Sequence, residues 1–214
     1  MSSDIHIREL IHSLRNPLTA ILANLDMLSI YLSDKINPET KELLDEIFFN
    51  VRYLENIMRN ASDIVKLKSK NDVLCESFDI KKIIENVIEK LKIIFQNKEL
   101  IKLSSTENEV IVNLNEDIIN RFFFTIFYEL LKFNPADSYI KVEISKKDSA
   151  VIIDIYFSIE KDDLKSEKIF QDLFILPKNK EMQITSKFIK KVIEIFNGKI
   201  LIKKERETKL EILF

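Results

Sequence analysis

Through the first 70 residues, apolar side chains return at every third or fourth position. Ile7, Ile11, Leu14, Leu18, Ile21, Leu25, Leu28 and Leu32 form one run, and Leu44, Ile47, Val51, Leu54, Met58, Ala61 and Val65 form a second. Alternating steps of four and three are the seam of a coiled coil or bundle, so the spacing predicts two long helices. Between them Ser33-Asp34-Lys35-Ile36-Asn37-Pro38-Glu39 holds a turn, with Asn37 as N-cap and Pro38 at the first helical position. The product is a helical hairpin. At ~1.5 Å per residue each arm is about 40 Å long, and two helices alone leave much of their seams facing water. The simplest cover is a second copy, closing a homodimeric four-helix bundle.

The pattern changes at the charged stretch Lys68 to Asp72, which divides the chain into a hairpin domain, 1–70, and a second domain, 71–214. Strands are expected at Glu76 to Asp79, Leu100 to Ser104 and Val110 to Leu114, with helices over Ile80 to Phe95 and Glu116 to Lys132. Tyr139 to Ser145 and Ala150 to Phe157 alternate apolar and polar residues around Lys146-Lys147-Asp148-Ser149, a hairpin pattern. An irregular stretch from Ser158 to Lys180 precedes a helix over Glu181 to Phe196. Asn197-Gly198 closes that helix, with Gly198 expected in the left-handed position, before strands at Lys199 to Lys204 and Lys209 to Phe214. The class is α+β, and the second domain reads as an α/β sandwich.

Gly198 is the single glycine among 214 residues, where a usual share of ~7% gives about 15. Phosphate loops and dinucleotide fingerprints need several glycines, so neither can be written here. Lys+Arg total 33 against Asp+Glu 35, a formal net charge of -2, which leaves no global basic field for nucleic acid or an anionic membrane. One cysteine, Cys75, allows no internal disulfide and no cysteine-based zinc cluster. No apolar run reaches the ~18 residues of a membrane span, and the charged N-terminus lacks a signal-peptide core. The expected setting is cytoplasmic, with no bound metal or cofactor.

The first helix contains Leu10-Ile11-His12-Ser13-Leu14-Arg15-Asn16-Pro17-Leu18-Thr19-Ala20-Ile21. This resembles the phospho-acceptor box of two-component histidine kinases, in which a histidine is followed by an acidic residue, Leu-Arg, Thr or Asn, then Pro-Leu. The dimerisation domain of that family is likewise a long hairpin. The order of elements after Lys68 is similar to the family's ATP-binding domain, with Phe78-Asp79-Ile80 and Asn197-Gly198-Lys199-Ile200 as matching landmarks. The physical reading of His12 agrees. It sits one step off the seam, where a partner can reach it, and a neutral imidazole nitrogen can attack phosphorus. Pro17 lacks an N–H for the Ser13 carbonyl and is expected to kink the helix. His6 lacks such context and reads as solvated surface.

Arg15 and Asn16 are candidate neighbours of the phosphoryl group. Ser13, Ala20, Ala23 and Met27 continue the His12 side with small or apolar residues, and Phe49 and Arg52 join them if Leu25 pairs near Ile47 and Ile21 near Val51. Two readings of this stripe stay open: a docking face for receiver domains, as the resemblance implies, or contacts with the second hairpin of a dimer.

The resemblance also marks departures. Glu129, in Phe127-Tyr128-Glu129-Leu130-Leu131-Lys132, stands where the family has its magnesium-binding asparagine. Phe157 stands at the adenine-reading aspartate, and Gln183-Ile184-Thr185-Ser186 at a glycine-rich box. Ser13 replaces the acidic residue that accepts the histidine proton. The domain therefore reads as a degenerate ATPase domain. The whole resembles phosphorelay histidine phosphotransferases, which shuttle a phosphoryl group between receiver aspartates through the histidine without ATP, the receiver bringing Mg²⁺. The alternative is a pseudokinase that binds, regulates or dephosphorylates a response regulator or partner kinase. Expected partners are receiver domains, a second copy and a hybrid kinase, without nucleic acid or membrane.

Overall fold

The computed structural model describes residues 2–32, 37–67, 73–95, 101–132, 139–148, 150–158, 171, 177, 180–204 and 208–214. The chain divides into two compact units, Met1–Lys66 and Leu67–Phe214. The expected change of pattern at 68–72, most of the irregular stretch from Ser158 to Lys180, and the turn residues Ser33 to Ile36 lie outside the described residues.

The first unit is the helical hairpin, α1 (Ser2–Leu32) and α2 (Pro38–Lys66). Asn37 caps α2 as its residue type predicts: its side-chain oxygen accepts from the Thr40 N–H at 2.8 Å and its carbonyl from the Lys41 N–H at 3.1 Å. The expected seam of α1 splits in two. Ile11, Leu18, Leu22 and Leu25 are buried, whereas Leu14, Ile21 and Leu28 are 46%, 46% and 45% exposed. The sequence run had merged an intrahairpin face with a neighbouring one, because both repeat at near-helical spacing.

The second unit begins with β1 (Glu76–Asp79), which pairs antiparallel with β3 (Ile111–Leu114). Asp79 joins this ribbon to α3 (Ile80–Ile94): one carboxylate oxygen accepts from the Lys81 N–H at 3.1 Å and from the Val110 N–H at 3.0 Å. The five-stranded sheet contains β2 (Ile101–Ser105), β4 (Tyr139–Lys147), β5 (Ala150–Ser158), β6 (Lys199–Lys204) and β7 (Thr208–Leu213), in the order β2-β4-β5-β7-β6. β2 and β4 run parallel and the other neighbours antiparallel. The helical layer is α3, α4 (Glu116–Lys132) and α5 (Lys180–Ile195).

The core lies between the two layers. Ile140, Val142, Ile144, Ile153, Ile155, Phe157, Leu210 and Ile212 supply one face of the sheet, every second residue of each strand. Val87, Phe122, Ile126, Leu130, Phe188 and Val192 supply the helices. Strong apolar periodicity made these helices legible, and their ends agree with expectation to within a residue or two.

The close of α5 corrects one expectation. Asn197, with φ 53°, takes the left-handed position, and Gly198 does not. The Asn197 N–H donates to the Glu194 carbonyl at 3.2 Å and the Gly198 N–H to the Ile193 carbonyl at 2.9 Å, the paired bonds of a Schellman cap. Asparagine is the residue besides glycine that tolerates this region.

Candidate functional site

His12 is exposed on α1, as are Ser13, Arg15, Asn16, Ala20, Ala23 and Met27. The helix is continuous through Pro17. Ser13 is locally engaged, its hydroxyl donating to the Leu10 carbonyl at 2.8 Å. The Thr19 hydroxyl donates in turn to the Arg15 carbonyl at 2.9 Å, so side chains bond the backbone on both sides of the proline. The side chain of His6 lies outside the described residues.

At about 100° per residue, Leu14, Ile21 and Leu28 lie roughly 160–200° around α1 from His12. The exposed apolar stripe and the histidine therefore occupy opposite flanks of the helix. Leu43, Ile47 and Leu54 form a second exposed apolar stripe on α2, 56%, 50% and 49% exposed. Arg52, Glu55 and Arg59 lie away from it. The Glu55 carboxylate accepts from Arg52 at 3.3 Å and from Arg59 at 2.6 Å, and the Arg52 guanidinium lies 5.1 Å from the Phe48 ring centroid. A cleft of about 60 Å³ joins this cluster to α1, lined by Arg15, Leu18, Thr19, Leu22, Glu55, Met58 and Arg59. One flank of the hairpin thus carries His12, Arg15, Thr19 and the arginine cluster, and the opposite flank carries both apolar stripes.

Leu18 and Leu22 line this cleft together with Glu55, Met58 and Arg59. Arg52 remains on the His12 flank, while Phe49 is half-buried. Sequence reasoning missed Glu55 and Arg59. Their i,i+4 spacing was a visible signal, but only the true helix register brings them to Arg15.

In the second unit Glu129 on α4 is fully buried, and one of its oxygens accepts from the Thr185 hydroxyl of α5 at 3.2 Å. Thr125, Thr185 and Ser186 are buried as well, and so is Phe157. Of the residues singled out as departures in this unit, Glu129, Phe157, Thr185 and Ser186 are thus interior, whereas Gln183 is exposed. No group of three or more His, Cys, Asp or Glu among the described residues has metal-binding geometry. No helix among them is long and apolar enough to cross a membrane.

Residues 6–70 match the family model of the His Kinase A (phospho-acceptor) domain. Three solved structures share the fold of nearly the entire chain at low identity. Full-length ShkA, in complex with AMPPNP, matches with a TM-score of 0.61 at 13% identity, over 98% of this chain and 44% of that one. Histidine kinase ThkA, in complex with response regulator protein TrrA, matches at 0.54 and 16% identity, over 96% of this chain and 60% of that one. The Acinetobacter baumannii histidine kinase AdeS matches at 0.52 and 17% identity, over 95% and 96%. This is the fold of a histidine-kinase core. The hairpin that matches the phospho-acceptor family holds His12 on an open flank, in the sequence box that first marked it.

Proposed function

We propose that the protein is a histidine phosphotransferase, shuttling a phosphoryl group between receiver-domain aspartates through His12 without using ATP. A ring nitrogen of His12 attacks the phosphorus of the donor's aspartyl phosphate. A P–N bond forms as the P–O bond breaks, and the aspartate carboxylate leaves. A second receiver's aspartate then attacks the phosphohistidine and restores the imidazole. Mg²⁺ belongs to the receiver in this scheme, so this chain contributes position: one exposed imidazole, with Arg15 and Asn16 within the next helical turn.

The observation that carries the reading is the placement of His12 opposite the exposed apolar stripes. A second copy covering Leu14, Ile21 and Leu28 leaves both histidines of a homodimer open to receivers. ThkA was solved with a response regulator, which supports a receiver as partner, and a hybrid kinase carrying a receiver would supply the same chemistry. The residues present do not fit a nucleotide triphosphate. Glu129 is buried against Thr185 where a magnesium ligand would stand, and the chain's only glycine lies at the end of α5. Ser13, donating to a carbonyl, is no base for autophosphorylation. The single cysteine and the absence of a membrane-length apolar helix among the described residues support a cytoplasmic setting.

The test takes receiver domains from the same genome, phosphorylated with a labelled small-molecule donor, and mixes each with the wild type and His12→Ala. Label on the wild type alone supports the relay. Asn16, exposed one turn from His12, favours a second reading in which the protein dephosphorylates or regulates a bound receiver. Receiver binding without label, or phosphate release that survives His12→Ala, would replace the first reading with the second.

A further inference from the structure

We propose that the cleft beside His12 seats an acidic side chain of the receiver partner between Arg15 and Arg59, and that Glu55 competes for the same guanidinium. This rests on receiver binding to the His12 flank.

The cleft has an apolar floor of Leu18, Leu22 and Met58 and a charged rim of Arg15, Glu55 and Arg59. By this measure one water needs about 10–15 Å³. A cleft of about 60 Å³ therefore accepts the end of one side chain. An acidic side chain meets both surfaces, its methylenes on the floor and its carboxylate at the rim.

The guanidiniums are unequally committed. Arg59 is 55% exposed and held by Glu55 at 2.6 Å. Arg15 is exposed, and among the described residues its guanidinium makes no ion pair. Glu55 accepts from two arginines, Arg52 being further held over Phe48. Each guanidinium carries five N–H donors, so one shared carboxylate leaves most of them for an incoming anion. Two arginines and one glutamate on the rim leave an excess of positive charge there. Glu55 keeps Arg59 in place while reducing its pull on a partner.

That arrangement predicts a sign. If Glu55 were only a brace, neutralising it would loosen the flank and weaken binding. If it competes, Glu55→Gln strengthens binding.

The experiment measures affinities of the same receiver domains, unphosphorylated, for wild type, Glu55→Gln and Arg59→Gln at low and high salt, with melting curves for each variant. Glu55→Gln is expected to tighten binding about three- to tenfold at low salt and Arg59→Gln to weaken it by a similar factor, both differences shrinking as salt rises. Weaker or unchanged binding in a folded Glu55→Gln variant overturns the proposal. If that variant melts early, unchanged binding in Arg59→Gln overturns it alone. Receivers that bind with the expected charge pattern but never label His12 remove the phosphotransferase reading and leave this one standing. No receiver bound by the wild type removes both.

Discussion

Gly198 is required by contact rather than by dihedral angle. Its φ is negative-region backbone open to any residue, but a Cβ there would lie 2.7 Å from the Leu213 carbonyl oxygen and 3.3 Å from the Phe214 ring. Gly198→Ala must push the end of α5 off β7, and we expect a loss of about 1–3 kcal/mol by urea denaturation. Its neighbour behaves in the opposite way: Asn197 occupies the left-handed region, so Asn197→Ala costs about 1 kcal/mol while Asn197→Gly is tolerated. Both residues were visible in the sequence as a helix terminator, but their division of labour depends on β7 lying against Gly198. The same limit applies to Glu129. Its position flagged a departure from the kinase pattern, yet only the packing of α5 on α4 shows the carboxylate buried against Thr185. Thr185→Val removes a donor from a buried carboxylate, and a loss of about 1–3 kcal/mol is expected in the same measurement.

Among the elements, the outer face of the sheet is arranged by charge. Lys141 and Tyr156 are direct partners, as are Tyr156 and Lys209, and beside this row runs an acidic one in which Asp154 faces Glu143 and Glu211. The ion pairs cross between rows: Lys141 to Glu143 at 2.6 Å, Lys209 to Asp154 at 3.0 Å and Lys203 to Glu211 at 2.6 Å. Lysines cover a face that alternation alone leaves polar, which discourages stacking on another sheet. The hydrogen bond from Lys141 holds the Glu143 carboxyl below its ordinary 4.5, against the opposing effect of burial, with a bond from Tyr156 adding to it. Because this folded value is depressed, its stabilising contribution is present above about pH 4.5 and is lost as pH falls below it. Glu143→Gln should flatten that acid limb in a series of melting curves. Burial pushes the Tyr156 hydroxyl above 10.0, so its contribution is lost instead as pH rises beyond that value. Period-two alternation made β4 and β5 readable as a hairpin. The crossed pairing was not readable, because it needs the register with β7, which begins more than 50 residues after β5 starts.

At the level of the whole molecule, the hairpin carries His12 and an exposed apolar stripe on opposite flanks. Apolar residues at helical spacing announced a bundle, but a single periodic run could not say which members face α2 and which face outward. Burial assigns Ile11, Leu18, Leu22 and Leu25 to the hairpin interior and leaves Leu14, Ile21 and Leu28 exposed, the stripe that the proposed homodimer would cover. Ile21→Glu places a charge in the centre of that stripe and should shift the protein toward monomer in sedimentation velocity. His12 lies on the other flank, so residual monomer with an intact hairpin should still accept label from a receiver. Unchanged dimer mass in Ile21→Glu would place the dimer contact elsewhere. The second unit makes a complementary prediction. A ligand that binds only the folded state raises its melting temperature by mass action, by about 2.7 kcal/mol of stability at a hundredfold excess over Kd. With Glu129 and Thr185 occupying each other, millimolar ATP with Mg²⁺ should leave the melting curve unmoved. A saturable upward shift would mean that the α4–α5 seam opens to nucleotide, and His12 would then have to be reconsidered as the acceptor of an ATP-dependent kinase.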